Sequence, residues 1–124
     1  TELLEVLVQF LNDKNAQTRE HAAGALHNMS LCPSNTFVLT NHNRGSMLDV
    51  LDAVLRRDSN QVVRKFSILI IYNIIHRKTV QSIASREGLI ETTLSFVVND
   101  HSSTEIRTLA VLILSEIALL LHRE

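Results

Sequence analysis

A period of 43 to 45 residues runs through this chain of 124 residues. Three sets of landmarks repeat at that spacing: Leu7, Leu51 and Leu94; Leu11, Leu55 and Val98; and Arg19, Arg64 and Arg107. A fixed period in this range, with two longer helices and one short helix in each unit, is typical of a helical solenoid. We therefore predict an all-α solenoid of about three repeats, with repeat boundaries near 1–44, 45–87 and 88–124.

Hydrophobic spacing predicts the helices of each unit. Apolar residues at i, i+3, i+4 and i+7 indicate amphipathic helices, and a helix that is apolar nearly all round indicates burial between neighbours. The stretch 60–76, NQVVRKFSILIIYNIIH, is apolar nearly all round, and we predict that it forms the middle layer of the stack. Gly45 is the predicted left-handed residue that closes the helix before it. The other predicted helices span about 3–11, 16–31, 37–39, 45–55, 79–85, 88–98 and 104–122, the last with a Ser or Thr N-cap.

Composition and charge exclude several classes of protein. The formal net charge is −1 with acids and bases interspersed, which gives no general attraction to nucleic acid or to an anionic membrane. The apolar run 109–121 contains Ser115 and Glu116 and is shorter than the roughly 20 residues that span a bilayer, so we expect no membrane span. The opening TELLEVL does not resemble a signal peptide. A lone Cys32 fits an intracellular compartment, cytoplasmic or nuclear.

Two segments resemble the third helix of the armadillo repeat. GALHNMS at 24–30 and LIIYNII at 69–75 match its A-L-x-N-L-x core, and an Arg stands near the start of each of these helices. VLILSEIA at 111–118 matches less well, because Glu116 takes the place of the Asn. A Gly at the repeat start and the short first helix favour armadillo over HEAT repeats, which share the length and the Arg. The resemblance covers nearly the whole chain and implies a right-handed superhelical stack, one armadillo-like domain over 1–124 within a longer array.

The resemblance also implies a site on the concave face that the third helices form. In armadillo repeats the Asn of each third helix binds the backbone of an extended peptide, which nominates Asn28 and Asn73 here. A side-chain amide suits this role because it offers both a donor and an acceptor to a peptide unit. The alternative is that each Asn bonds a neighbouring helix and stabilises the stack, since buried polar groups need partners. The sequence leaves both interpretations open.

Other residues of this face follow from helical spacing around the Asn positions. Nuclear-import adaptors of the family carry a Trp one turn before the Asn, but Gly24, Leu69 and Leu112 stand there, so we expect no receptor for nuclear localisation signals. Tyr72 and His76 are the predicted contact hot spots, since aromatic side chains dominate interface energies. The predicted partner-binding residues are Asn28, Lys65, Leu69, Tyr72, Asn73, His76 and Glu116, with Glu20, His27, Thr108 and Ser115 as further neighbours.

The three repeated arginines, Arg19, Arg64 and Arg107, are predicted to be structural. A guanidinium near the start of a buried helix can bond carboxylates or carbonyls of the turns between helices. The carboxylates nearest to these turns are Asp13, Asp58 and Asp100. We favour this role over ligand binding, because partly buried charge must be paired.

No catalytic, cofactor or metal site is predicted. Six His residues are present, but none has metal-ligand spacing with another His or with the Cys. Cys32 follows a helix, whose dipole is expected to oppose thiolate formation. The pairs Glu2 with Glu5 and Asp49 with Asp52 are assigned to solvent-facing sides of their helices. No phosphate loop or nucleophile elbow occurs, and we expect no enzyme activity and no cofactor.

The sequence thus predicts a non-enzymatic scaffold that binds a protein or an extended peptide segment. A regulatory or targeting segment of a larger enzyme is one alternative, and an RNA-binding helical repeat is another. Basic residues cluster in the middle repeat, but a solvated face is the favoured interpretation, because stacking on RNA needs exposed aromatic residues. The last helix is apolar nearly all round, which indicates either a fragment of a longer array or self-association through this helix.

Overall fold

The computed structural model describes residues 2–99 and 102–123, and within these ranges it contains helices and no strand. Two short 3₁₀ segments, Pro33–Asn35 and His42–Gly45, flank the third helix. The α-helices in the described part of the chain are α1 (Glu2–Phe10), α2 (Ala16–Ser30), α3 (Thr36–Asn41), α4 (Ser46–Arg57), α5 (Gln61–Ile74), α6 (Val80–Ala84), α7 (Glu87–Val98) and α8 (Thr104–His122).

The three long helices begin in the same way. In each, the side-chain oxygen of the N-cap residue accepts the backbone N–H of the residue three positions later, which satisfies one of the free donors at the helix start. The pairs are Asn15 with Thr18 at 3.0 Å, Asn60 with Val63 at 3.0 Å, and Ser103 with Ile106 at 3.2 Å. The caps are therefore spaced by the sequence period, and the predicted Ser cap of the last helix is confirmed.

Helix α5 is the central element of the fold. It packs against α2 on one side and α8 on the other, and α4 lies between α5 and α7. Val63, Ile70, Ile71 and Ile74 are completely buried, as expected for a helix with apolar residues on nearly every side. The arrangement is a helical solenoid, and the predicted fold class is confirmed. The handedness of the superhelix and the repeat boundaries stay predictions.

The end of α5 differs from the predicted one. The helix ends at Ile74 instead of continuing to His76. The Thr79 hydroxyl donates to the Ile74 carbonyl at 2.6 Å and accepts the His76 backbone N–H at 2.9 Å. Because this buried hydroxyl supplies the partners that another helical turn would have supplied, the chain leaves the helix two residues early.

The turn before α4 contains three consecutive residues with positive φ, Asn43 at 46°, Arg44 at 60° and Gly45 at 84°. The left-handed conformation predicted for Gly45 is confirmed. A Cβ atom at Gly45 would collide with the guanidinium of Arg86. That guanidinium donates to the Arg44 carbonyl and, at 2.9 Å, to the Asp49 carboxylate, and so joins the start of α4 to the start of α7.

One assignment to the solvent-facing side of a helix was wrong. Asp52 is 8% exposed, and its carboxylate accepts a hydrogen bond from the Thr92 hydroxyl of α7 and lies 3.3 Å from Arg56 Nε. Spacing within α4 alone could not reveal Thr92, which approaches from another helix. The buried carboxylate is tolerated because a hydroxyl and a guanidinium compensate for the lost water.

Within the described ranges, no helix combines the length and apolarity needed to cross a membrane.

Candidate functional site

The candidate site is the third-helix face, which we define as the surface of α2, α5 and α8 and the grooves between them. The α2/α5 groove has a volume of about 450 Å³ and the α5/α8 groove one of about 510 Å³. Glu20, His21, Gly24, Ala25, Asn28, Val62 and Phe66 line the first, and Gln61, Val62, Lys65, Ser103, Thr104, Glu105 and Ile106 line the second. Both grooves are shallow and open, which suits an extended segment better than a compact small molecule.

Phe66 is the aromatic residue of the α2/α5 groove. Its ring lies 5.2 Å from the His27 ring, with the planes tilted by 40°. A Cβ atom at Gly24 would lie 3.5 Å from the Phe66 ring, so the ring rests against the α2 backbone where a larger side chain would have stood. Phe66 belongs to the stretch 60–76 that was predicted to be buried, whereas its side chain is only half-buried. Gly24 was the available signal, since it leaves room for an aromatic ring from the next helix.

The two asparagines differ in their environment. Asn28 is exposed, and no described residue forms a hydrogen bond with its side chain. Asn73 is half-buried, and its Nδ2 donates to Ser30 Oγ at 3.1 Å. Ser30 Oγ in turn donates to the His27 carbonyl at 2.6 Å, so a hydrogen-bonded chain connects α5 to α2. Asn73 thus forms a contact that stabilises the stack of α2 and α5, whereas the donors and the acceptor of the Asn28 amide are available to a partner.

The remaining predicted partner-binding residues are distributed along the face. Lys65 forms an exposed ion pair with Glu105 of α8, with Nζ and Oε2 2.8 Å apart. Leu69 and Tyr72 are half-buried on α5, and Glu116 is half-buried on α8. The predicted residues are therefore spread over the three long helices and are not gathered in one groove.

His76 occupies a loop and not the helical surface on which it was expected. It follows the end of α5, and its Nδ1 accepts the Lys78 backbone N–H at 3.3 Å. A depression of about 210 Å³ nevertheless places His76 beside Asn73 and Ser30. These three polar residues therefore lie together, and two of them, Asn73 and His76, are predicted partner-binding residues.

Of the three repeated arginines, Arg19 has the structural contacts that were predicted. Its Nε and Nη2 donate to the Asp58 carboxylate at 2.8 and 3.3 Å, and its Nη1 donates to the backbone carbonyls of Asp13 and Lys14. The hydrogen bond with Asp58 is the main cause of a raised pKa for Arg19. The contact joins the first repeat to the turn that precedes α5.

The other two arginines have different surroundings. The Arg64 guanidinium lies 5.2 Å from the centre of the Phe96 ring, a cation–π contact. Its Nε is buried and has no hydrogen-bond partner among the described residues, and the predicted partner Asp100 lies outside them. Arg107 is exposed, and no ion pair or hydrogen bond joins its side chain to a described residue. It lines a depression with Val97 and Val111.

Cys32 is exposed, and its environment differs from the one expected. The Ser34 hydroxyl lies 3.0 Å from Cys32 Sγ and lowers the pKa of the thiol, with backbone N–H groups of the following 3₁₀ segment adding to the effect. The thiol pKa is therefore lowered although Cys32 follows a helix, because the Ser34 hydroxyl and these N–H groups favour the thiolate. Among the described residues, no cluster of three potential metal ligands occurs.

The segment that contains α1 and α2 is similar in sequence to a known protein family. A family model described as Armadillo/beta-catenin-like repeat matches residues 2–31. Residues 2–31 are similar to an armadillo-type repeat. The predicted resemblance is thereby confirmed over this segment, which contains the N-cap Asn15 and Arg19. No curated protein matches the sequence.

Solved structures extend the likeness of fold to nearly the whole chain. Two engineered proteins, with crystal structures from the Northeast Structural Genomics Consortium, are each 21% identical to this chain and cover 93% of it with a TM-score of 0.75. The chain spans 45% of the length of one and 27% of the length of the other. At this identity the comparison shows the fold alone.

Proposed function

We propose that this chain is a non-enzymatic protein-interaction scaffold that holds an extended segment of a partner on the third-helix face. One observation carries the proposal: the α2/α5 groove places the exposed Asn28 amide beside the half-buried Phe66 ring. An amide can form hydrogen bonds with the backbone of the partner. An aromatic ring supplies apolar contact area, and its side chain loses little conformational entropy on binding.

Asn28 is the proposed backbone-binding residue, ahead of Asn73. Its amide has no bond to break before it can accept a partner, whereas Asn73 must give up its contact with Ser30. Lys65 and Tyr72 are proposed to extend the contact along α5, and His76 is proposed to extend it into the loop that follows this helix. The armadillo-type repeat over α1 and α2 supports the same function, because repeats of this kind present their third helices to other proteins.

The experiment uses peptides selected from a random display library on the immobilised chain. Fluorescence anisotropy then gives the dissociation constant of each selected peptide for the wild type and for single variants. Asn28→Ala should raise the dissociation constant about tenfold, the loss expected for one well-formed hydrogen bond. Val62→Ser should also raise it, because Val62 is 44% exposed and lines both grooves.

Asn41→Ala is the matched control, because Asn41 is an exposed asparagine of α3 whose Nδ2 bonds only the Phe37 carbonyl of its own helix. All three variants alter exposed side chains, so the fold should survive in each. Selected peptides that bind Asn28→Ala and Val62→Ser as tightly as the wild type would show that the groove is not the binding site.

We further propose that the chain has no catalytic activity of its own and works inside the cell. The first point is supported by the solenoid fold, which is typical of scaffolds. The second is supported only by cysteine usage, since a single exposed thiol at Cys32 suits a reducing compartment. Fractionation of cells that express a tagged chain would test the location.

A further inference from the structure

The turn between α4 and α5 presents an exposed serine, Ser59, whose hydroxyl forms no hydrogen bond with a described residue. This turn belongs to the middle of the stack. Helix α5 packs between α2 and α8, and α4 contacts α7, so neighbouring helices already stand on either side. The exposure of Ser59 is therefore set by the turn itself and not by the end layers of the stack.

Two arginines precede this serine at positions that protein kinases recognise. Arg56 and Arg57, exposed residues at the end of α4, stand three and two positions before Ser59. Serine/threonine kinases that prefer basic substrates bind such arginines in acidic subsites, so the charge pattern determines which hydroxyl they accept. No other exposed serine or threonine in the described part of the chain has basic residues at both positions.

Thr79 illustrates why exposure matters for such a site. It also follows two basic residues, Arg77 and Lys78, but it is 1% exposed, and its hydroxyl bonds two backbone groups at the end of α5. A kinase could reach this hydroxyl only if that end of the helix opened. Ser59 lies on the surface, and its hydroxyl has no bond to a described residue that must break first.

The backbone on both sides of Ser59 is already extended. Asp58 has φ −80° and ψ 125°, and Asn60 has φ −73° and ψ 119°. Protein kinases bind their substrate segment in an extended conformation, so this part of the turn needs little rearrangement. Because successive side chains of an extended backbone point to opposite sides, the Asp58 side chain, held by Arg19 of α2, leaves Ser59 facing outward. The last turn of α4 must open to present the two arginines, and helix ends open at low cost.

A phosphate on Ser59 would have cationic groups close to it. Ser59, Arg19 and Arg57 line one depression of about 320 Å³. Arg57 forms no ion pair with a described residue, so its guanidinium is available to phosphate oxygens. Helix α5 begins two residues after Ser59, and the dipole at its N-terminus favours negative charge there. The two carboxylates of the depression, Asp13 and Asp58, lie close to the Arg19 guanidinium, which offsets part of their charge.

We propose that Ser59 is a phosphorylation site for a serine/threonine protein kinase that selects arginine-containing substrates. In this step the Ser59 hydroxyl oxygen forms a bond to the γ-phosphorus of ATP, while the bond between that phosphorus and the β–γ bridging oxygen breaks. The products are phosphoserine and ADP, and the hydroxyl proton passes to a carboxylate of the kinase. The modification does not require a partner on the third-helix face.

Treatment of the intact folded chain with magnesium ATP and the catalytic subunit of cyclic-AMP-dependent protein kinase tests the proposal. Mass spectrometry of the whole chain should show the addition of a single phosphoryl group, and Ser59→Ala should take up none. Arg57→Gln should lower kcat/KM for the transfer about tenfold, the loss expected for one charge-assisted hydrogen bond between substrate and kinase. Both variants alter exposed side chains, and circular dichroism should show the wild-type helix content in each.

Two matched controls change the same residue types elsewhere. Ser85→Ala removes an exposed serine without arginine two or three positions before it, and Arg77→Gln removes an exposed arginine of another loop. Both should be phosphorylated at the wild-type rate. No uptake by the wild type, uptake that persists in Ser59→Ala, or a wild-type rate for Arg57→Gln would each overturn the proposal.

Discussion

Thr79 shows how a single hydroxyl sets the boundary of a helix. It is 1% exposed, and it joins the last carbonyl of α5, at Ile74, to the backbone N–H of His76. Two backbone groups that would otherwise lie unpaired near the core are satisfied by one side chain. The direction in which the chain leaves α5, and with it the position of His76, therefore depends on this residue.

Thr79→Val should lower the free energy of unfolding by about 1–3 kcal/mol, because the isosteric side chain leaves buried backbone groups without partners. Chemical denaturation followed by circular dichroism measures the change. Thr93→Val is the matched control: Thr93 is also 1% exposed, but its hydroxyl only shares the Leu89 carbonyl within a helix, so we expect a smaller loss. Equal losses for the two variants would contradict the proposed role of Thr79.

Ser34 is predicted to control the reactivity of Cys32. Its hydroxyl is the main cause of the lowered pKa of that thiol, so Ser34→Ala should raise the pKa and reduce the thiolate fraction at neutral pH. The rate of alkylation by iodoacetamide should fall near neutral pH and converge with the wild-type rate at a pH well above both pKa values. Ser85→Ala, which removes an exposed hydroxyl elsewhere, should leave the whole pH profile unchanged.

At the scale of the element, α2 is unusual because Gly24 lies in the interior of a long helix. The absence of a side chain lets Phe66 of α5 rest against α2, and the two helices form the floor of a groove in this way. A glycine inside a helix costs stability relative to alanine, and a methyl group at this position would be in ordinary contact with Phe66.

Gly24→Ala should raise the free energy of unfolding by about 0.5–1 kcal/mol, because the new methyl group would meet Phe66 at 3.5 Å, an ordinary contact. Gly45→Ala should lower it by at least about 1 kcal/mol, because φ is 84° there and Arg86 fills the space. Thermal and chemical denaturation of both variants provide the comparison. A loss of stability in Gly24→Ala would mean that Phe66 cannot yield even slightly.

The helices were predictable from the sequence because each depends on local signals and on a period that repeats three times. The caps at Asn15, Asn60 and Ser103 and the left-handed Gly45 are such signals. Asp52 and Phe66 were misassigned because their surroundings come from another helix: Thr92 covers the first, and the second fills the space above Gly24. Hydrophobic spacing within one element contains no information about what lies opposite it.

The candidate site was predictable only as a face. The resemblance to armadillo repeats pointed to the third helices, α2, α5 and α8, and to the two asparagines, but both asparagines have the same local sequence pattern. Their separation into an available Asn28 and an engaged Asn73 depends on Ser30, whose hydroxyl reaches Asn73 from the neighbouring repeat. Ser30 belongs to the repeat before that of Asn73, so the sequence around Asn73 does not reveal it.

At the scale of the whole molecule, stability should depend most on α5, which both neighbouring repeats share. Ile71→Ala should lower the free energy of unfolding by about 2–5 kcal/mol, since the side chain is completely buried. Leu31→Ala, at a position 60% exposed, should change it by less than about 0.5 kcal/mol. Denaturant titration gives both values, and a loss below 1 kcal/mol for Ile71→Ala would contradict the central position of α5.

The contacts between repeats have a mechanical consequence. Hydrogen bonds and ion pairs between described side chains join residues no more than 43 positions apart, the longest being that of Asn73 with Ser30. A pulling force applied at the two ends therefore passes from layer to layer in series, and no bond connects the first layer directly to the last. We expect the layers to separate elastically before any helix unwinds. Tension along the stack would therefore change the spacing of the grooves.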